Sequence, residues 1–80
     1  MITLADLHLG DIADIVGLDV LNSADRQKLF ACGMVPGARV TVVRVAPLGD
    51  PLQVSLDGVA LSIRKAEGLN VTVNRISRQP

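Results

Sequence analysis

Aromatic side chains are almost absent from this 80-residue sequence: it contains one Phe, Phe30, and neither Trp nor Tyr. Single-stranded nucleic acids stack on aromatic rings, and proline-rich peptides dock in aromatic-lined grooves. One ring builds neither kind of site. The formal net charge is zero, with eight basic and eight acidic residues, whereas nucleic-acid-binding domains are typically basic. The composition therefore argues against a nucleic-acid partner.

Cysteine is equally scarce, since Cys32 stands alone and can form no internal disulfide. A disulfide-stapled secreted miniprotein is thereby excluded. No apolar run approaches the roughly 18 residues that cross a bilayer, and the first residues lack the basic and apolar regions of a signal peptide. We expect a cytoplasmic protein without membrane insertion, stabilised by a core drawn from the 49% of residues that are hydrophobic.

Catalytic motifs are missing as well. A nucleophilic Cys32 would need a neighbouring base, and His8 is the only histidine. Cys32 lies in the last turn of a predicted helix, where the dipole disfavours a thiolate, so we expect it to be a buried core residue beside Leu29. Neither G-x-x-x-x-G-K-[ST] nor G-x-G-x-x-G occurs. The sequence predicts no enzyme, no independent nucleotide binding and no required cofactor.

The one pattern with metal-ligating chemistry is His8, flanked by Asp6 and Asp11. A structural zinc site usually has four strong ligands, which one chain lacks. We take His8 and Asp11 as candidate ligands for a divalent ion, zinc or iron, whose shell is completed by water, anions or a second chain. A two-fold homodimer doubles each ligand and is the simplest way to hold such an ion. The alternative is a solvated loop histidine.

Charge is distributed unevenly along the chain. Five aspartates are the only charged residues before residue 26, and the remainder carries all eight bases and three acids, so minus five is followed by eight minus three, or plus five. One interpretation is that the two regions mix on the folded surface. The other is a polarised surface that orients a protein partner.

The strongest local pattern is a β-hairpin. Apolar and polar residues alternate on either side of Asp57-Gly58, a typical two-residue turn. Such a turn pairs Leu56 with Val59 and places six apolar side chains on one face of the hairpin. These six are Leu52, Val54, Leu56, Val59, Leu61 and Ile63.

The fold class predicted is mainly β: a small SH3-like barrel of about five strands, with closure hiding the strand edges. Further strands are expected at residues 12–18, 40–46 and 69–73. One short helix should span Ser23–Gly33, ending at a glycine, and a helical turn should lie near Arg64–Glu67. We expect one domain, residues 1–76, with residues 77–80 as a loose tail.

Four sequence elements closely resemble the FeoA family of small cytosolic proteins of bacterial ferrous iron uptake. They keep the family's order and spacing and together cover nearly the whole chain. The elements are Leu4, Leu7 and Gly10; the run Arg26–Gly37 followed by Val42–Pro51; Arg64 with Glu67; and Val71 with Val73.

The resemblance implies an SH3-like interaction module that acts on FeoB, the membrane protein that carries a GTP-binding domain and moves ferrous iron. We expect Leu29, Phe30 and Met34 to contact that partner, although Phe30 as a core filler is the alternative. Two other functions stay open. Similar domains resemble the C-terminal part of metal-dependent repressors, which suggests metal or ligand sensing, and a ribosomal-type nucleic-acid-binding barrel is the third.

Overall fold

Six antiparallel strands form one sheet in the order β1-β6-β2-β3-β4-β5. The computed structural model describes residues 2–19 and 23–78. The mainly β architecture with short helices agrees with the sequence prediction, and a 3-10 helix was not predicted. The elements are β1 (Ile2–Thr3), the 3-10 helix (Leu4–Asp6), β2 (Asp11–Leu18), α1 (Ser23–Ala31), β3 (Arg39–Val45), β4 (Leu52–Leu56), β5 (Val59–Ile63), α2 (Lys65–Gly68) and β6 (Val71–Arg78).

The β4–β5 hairpin has the register that the alternating pattern predicts. Leu56 pairs with Val59 across the Asp57-Gly58 turn. Both turn residues have positive φ, 52° and 79°, as a two-residue hairpin turn of the mirror-image type requires. The side chains of β4 alternate between buried and half-buried, whereas Val59 is 58% exposed. A shared face therefore does not guarantee burial at the turn end of the hairpin.

Strand β6 lies inside the sheet and pairs with both β1 and β2. Among the described strands β1 and β5 remain as edges, so the expected closure does not hide every strand edge. Strand β6 continues to Arg78, which pairs with Asp11, and its neighbour Ser77 pairs with Ile12. Residues 77 and 78 are therefore part of the sheet rather than of the expected tail, because the start of β2 offers them backbone partners. The rest of that tail, residues 79 and 80, lies outside the described residues.

Helix α1 ends in a backbone motif centred on Gly33, whose φ is +92°. The N–H of Gly33 donates to the carbonyl of Phe30 at 2.9 Å, and that of Met34 donates to the carbonyl of Leu29 at 3.0 Å. This is the Schellman pattern, in which a left-handed glycine reverses the chain and brings the apolar residues on either side of it together. Leu29 and Met34 are accordingly both buried.

Cys32 is exposed, so the expectation that it is a core residue is wrong. The expectation relied on helical spacing from Leu29, but α1 ends at Ala31 and the chain turns at Gly33. Helical periodicity no longer applies where the backbone leaves the helix. The core is completed by Met34 instead, which is fully buried.

The core consists mainly of valine and leucine. Its largest fully buried apolar side chains are Leu4, Met34, Val40, Val42, Val54, Val71 and Val73. Each strand from β2 to β6 contributes alternate residues, as expected when one face of a sheet is buried. The 3-10 helix contributes Leu4 and α1 contributes Leu29.

Opposite charges from the two halves of the sequence meet on the surface. Arg39 Nε donates to Asp14 Oδ1 at 2.9 Å, joining β3 to β2. Arg75 Nη1 on β6 lies 3.8 Å from Asp11 Oδ1. These contacts favour the first interpretation of the charge pattern, in which the acidic and basic regions mix when the chain folds.

Candidate functional site

The three residues predicted to contact a partner have different environments. Leu29 is 5% exposed and Met34 is fully buried. These two residues belong to the core and not to the surface that was expected to contact a partner. Phe30 is 41% exposed and is not part of the core cluster. The physical reason is the end of α1: the Schellman turn brings Leu29 and Met34 together beneath the helix and leaves Phe30 at the surface.

His8 and Asp11 do lie side by side. The backbone N–H of His8 donates to Asp11 Oδ2 at 2.7 Å, and Nδ1 of the His8 ring is 3.8 Å from the same oxygen. The N–H of Asp11 returns a hydrogen bond to the carbonyl of His8 at 2.9 Å. Because Asp11 is 1% exposed whereas the His8 side chain is 75% exposed, the carboxylate chiefly fixes the turn that leads into β2.

These residues do not form a metal site within one chain. No group of three or more His, Cys, Asp or Glu side chains that could hold an ion occurs within residues 2–19 and 23–78. Asp11 already accepts the His8 N–H and lies near the Arg75 guanidinium, and a cation would have to displace that positive charge. Asp6, the third residue of the pattern, is bonded to Thr3. The described residues of one chain therefore supply too few ligands at His8 and Asp11 to enclose a metal ion.

Two exposed carboxylates are held in their charged form by hydrogen bonds. The backbone N–H and the hydroxyl of Thr3 donate to Asp6 Oδ2 at 2.8 and 3.1 Å, and they lower the pKa of Asp6 from its ordinary value of 3.8. The side-chain hydrogen bond from Arg39 likewise lowers the pKa of Asp14. Both shifts follow from donors that favour the carboxylate, and both stabilise the protein's structure rather than prepare an acid or base.

A polar cleft of about 420 Å³ lies where α1, the loop before β4, β5 and α2 meet. Both of its carboxylates, Asp50 and Glu67, have partners. Lys28 Nζ lies 3.7 Å from Glu67 Oε2, and the N–H of Lys65 donates to Asp50 Oδ1 at 2.9 Å. The N–H of Arg64 donates to Glu67 Oε1 at 3.1 Å. These contacts connect α1 to α2 and α2 to the loop before β4, so the polar groups of the cleft stabilise the packing of these elements.

The most exposed large apolar side chain described is Leu48, at 95%. It stands in the turn between β3 and β4, within the sequence Pro47-Leu48-Gly49-Asp50. The sequence analysis did not identify this residue as a candidate contact. The available signal was a leucine between turn-forming residues, where neither strand nor helix periodicity provides a buried face.

Within residues 2–19 and 23–78, none of the helices has the length and apolar character needed to span a bilayer.

Comparison with known proteins identifies the family. The FeoA domain model matches residues 2–75. A curated relative from Porphyromonas gingivalis strain ATCC BAA-308 / W83, described as an Fe(2+) transport protein A/Fe(2+) transporter FeoB fusion protein, is 34% identical over 74 residues. That match covers 92% of this chain, and the chain spans only 9% of the relative's length.

Solved structures agree. The solution structure of FeoA from Chlorobium tepidum is 36% identical, has a TM-score of 0.86, and matches 95% of this chain and 71% of that one. FeoA of Stenotrophomonas maltophilia, solved in complex with zinc and described as a prokaryotic SH3 domain protein, is 28% identical with a TM-score of 0.81 over 92% and 91% of the two chains. The predicted SH3-like fold is confirmed.

A manganese-dependent transcriptional repressor is similar in fold alone, with 13% identity and a TM-score of 0.86 over 94% of this chain and 36% of that one. The match of the family model to nearly the whole chain, together with these relatives, shows that the chain belongs to the FeoA family, whose members are linked to ferrous iron transport.

Proposed function

We propose that this chain is a cytosolic accessory module of bacterial ferrous iron uptake that binds FeoB. The observation that carries the proposal is the fusion relative, in which the matching segment and FeoB belong to one polypeptide. Linking two domains raises the concentration of each around the other, which is useful when they must contact one another. A chain that is separate from FeoB needs a binding surface to achieve the same proximity.

Phe30 is the side chain best suited to begin that surface. It is 41% exposed, and its neighbours Leu29 and Met34 are buried. The backbone that carries Phe30 is therefore fixed by the core, and little conformational entropy is lost when its ring is covered. Aromatic anchors on rigid elements are frequent hot spots of protein interfaces. Leu48, almost fully exposed on its loop, is a second apolar side chain available to a partner.

The proposal makes the chain a binding protein rather than an enzyme. His8 is hydrogen-bonded into the turn before β2 through its backbone. Cys32 follows the C-terminal end of α1, whereas reactive cysteines typically lie at helix N-termini. Neither residue has the environment of an activated nucleophile or base. Any GTP hydrolysis in the complex is then carried out by the partner.

Capture of FeoB tests the proposal. The immobilised chain is incubated with detergent-solubilised membranes that contain FeoB, with GTP, with GDP and without nucleotide, and FeoB is detected by antibody. We expect FeoB to be retained in at least one nucleotide state. Failure to retain it in all three, with the immobilised chain shown to be folded by circular dichroism, would contradict the proposal.

A metal- or ligand-sensing domain is the alternative function. The observation that favours it is the fold likeness to the manganese-dependent repressor, which at 13% identity concerns the fold alone. The part of the chain that the structure describes gathers no three metal-ligating side chains in one place. FeoB binding therefore remains the function that the observations support best.

A further inference from the structure

Strand β5 is an edge of the sheet. It pairs with β4, and the sheet order gives it no second neighbour among the described strands. Its sequence, Val59–Ile63, contains no charged residue and no proline. Edge strands are normally protected from pairing with other chains by charges, proline, bulges or shortness. The opposite edge, β1, is only two residues long, so β5 is the edge open to pairing.

The register shows which backbone groups of β5 are available. In a hairpin closed by a two-residue turn, the pair that flanks the turn is hydrogen-bonded, and hydrogen-bonded pairs then alternate along the strands. Val59, Leu61 and Ile63 thus direct their N–H and C=O groups toward β4. The N–H and C=O groups of Ala60 and Ser62 point away from the sheet, and both residues are exposed.

We propose that β5 pairs antiparallel with β5 of a second copy of this chain, about a two-fold axis that passes between the two Leu61 residues. In this register Ala60 lies opposite the second copy's Ser62, and the two residues exchange both of their free backbone hydrogen bonds. The axis generates the same pair twice, as a closed two-fold interface requires.

Charges beside the two ends of the strand favour pairing between two copies of the chain. Asp57 lies in the turn before β5, and Arg64 and Lys65 follow the strand; all three residues are exposed. In an antiparallel arrangement the acidic turn of one copy lies at the same end as the basic segment of the other. Opposite charges across an antiparallel pair are stabilising and like charges are destabilising. The acidic turn and the basic segment after β5 are therefore complementary between two antiparallel copies.

The apolar side chains of β5 also gain contacts in this arrangement. Val59 is 58% exposed and gains most from being covered, whereas Ile63 is already buried in its own core. The two Leu61 residues lie opposite one another at the axis. A pair of five-residue strands buries less than the roughly 1,200 Å² of a standard stable interface. The dimer is therefore weak and is populated only at high protein concentration.

Sedimentation equilibrium tests the dimer directly. We expect the average mass of the chain to rise toward that of a dimer at millimolar concentration. Ala60→Pro removes an N–H that faces away from β4 and is unused in the hairpin, so this variant should fold but remain monomeric. Circular dichroism and the melting temperature confirm folding. A wild-type chain that stays monomeric at millimolar concentration would overturn the proposal, as would a folded Ala60→Pro variant that associates like wild type.

Cysteine cross-linking tests the register. In a Cys32→Ser background, Ala60→Cys and Ser62→Cys proteins are oxidised separately and as an equal mixture. Hydrogen-bonded antiparallel pairs have Cα atoms about 5.5 Å apart, within the range of a disulfide. Residue 60 faces residue 62 of the other copy, so the mixture should give several-fold more disulfide-linked dimer than either protein alone. Equal yields in all three samples, or none in the mixture, would refute the register.

Discussion

Gly33 at the end of α1 lies against Leu56 of β4: a Cβ added at Gly33 would be 2.9 Å from Leu56 Cδ2. A side chain at residue 33 would force the Leu56 methyl group to move. Glycine is favoured here for a second reason as well: its φ of +92° is a conformation that residues with L side chains rarely adopt. The same turn then fixes which residues of α1 are buried.

Gly33→Ala should lower the free energy of unfolding by about 1–2 kcal/mol from backbone strain alone, with a further loss because the Leu56 methyl must move. Gly49→Ala is the matched control: Gly49 has a φ of +83°, and nothing lies within 4 Å of an added Cβ. Urea denaturation of both variants measures the difference. Equal losses would show that Leu56 adapts without cost.

Asp11→Ala should destabilise the protein by about 2 kcal/mol, because a buried carboxylate that accepts the His8 N–H at 2.7 Å is lost. Asp14→Ala is the control, since Asp14 makes a more exposed ion pair with Arg39 and its loss should cost less. Chemical denaturation compares the two. A smaller effect at Asp11 than at Asp14 would contradict the role assigned to the buried carboxylate.

Acid should remove a contribution made by Asp6. The pKa of this carboxyl is lowered in the fold by hydrogen bonds from Thr3, so its stabilising effect is present above the ordinary value of 3.8 and is lost as pH falls through the lower folded value. We expect wild type to melt at a higher temperature than Asp6→Asn at neutral pH, with the difference shrinking below pH 3.8. A difference that is constant across this range would refute the assignment.

Phe30→Gln should leave the fold intact and weaken FeoB capture at least tenfold, as expected for loss of an aromatic hot spot. The control is Ile76→Gln on β6, because Ile76 has a similar exposure of 46% against 41% for Phe30. Pull-down yield and thermal melting are measured for both variants. Unfolding of Phe30→Gln would identify the ring as part of the core, and unchanged capture by a folded variant would exclude Phe30 from the interface.

Zinc should bind this chain weakly and through His8, because Asp11 is occupied by its own hydrogen bonds. Zinc titration, followed by calorimetry and sedimentation, should show a low affinity that His8→Ala reduces further. Asp6→Asn is the control, because it changes a nearby charged residue and keeps His8. Tight binding by the wild-type monomer, or dimers promoted by zinc equally in His8→Ala, would contradict this prediction.

The hairpin register could be predicted from sequence because strict alternation and the Asp57-Gly58 turn specify the same pairing independently. The extent of β6 could not, since Ser77 and Arg78 gain their partners from β2, which is distant in sequence. Local polarity suggested a loose tail, and only the tertiary pairing makes it a strand.

The candidate site was less predictable than the fold. Leu29, Phe30 and Met34 were predicted together as partner contacts. Helical spacing could not say which of these apolar residues would face the core, because that depends on the left-handed turn at Gly33. Asp11 was interpreted as an available ligand, since carboxylates are usually exposed. Its burial follows from the turn at residues 8–11, whose hydrogen bonds have no signature in residue type alone.

The pairing of β2 with β6 affects the order in which the chain folds. Leu18 and Val71 are paired although they are 53 positions apart, 71 minus 18, whereas β3, β4 and β5 follow one another through short connections. Closing a long loop costs entropy before its contacts form, so the β3–β5 meander should organise first and β6 should dock late. Truncation of Val54 should then mainly slow folding, and truncation of Val73 should mainly accelerate unfolding.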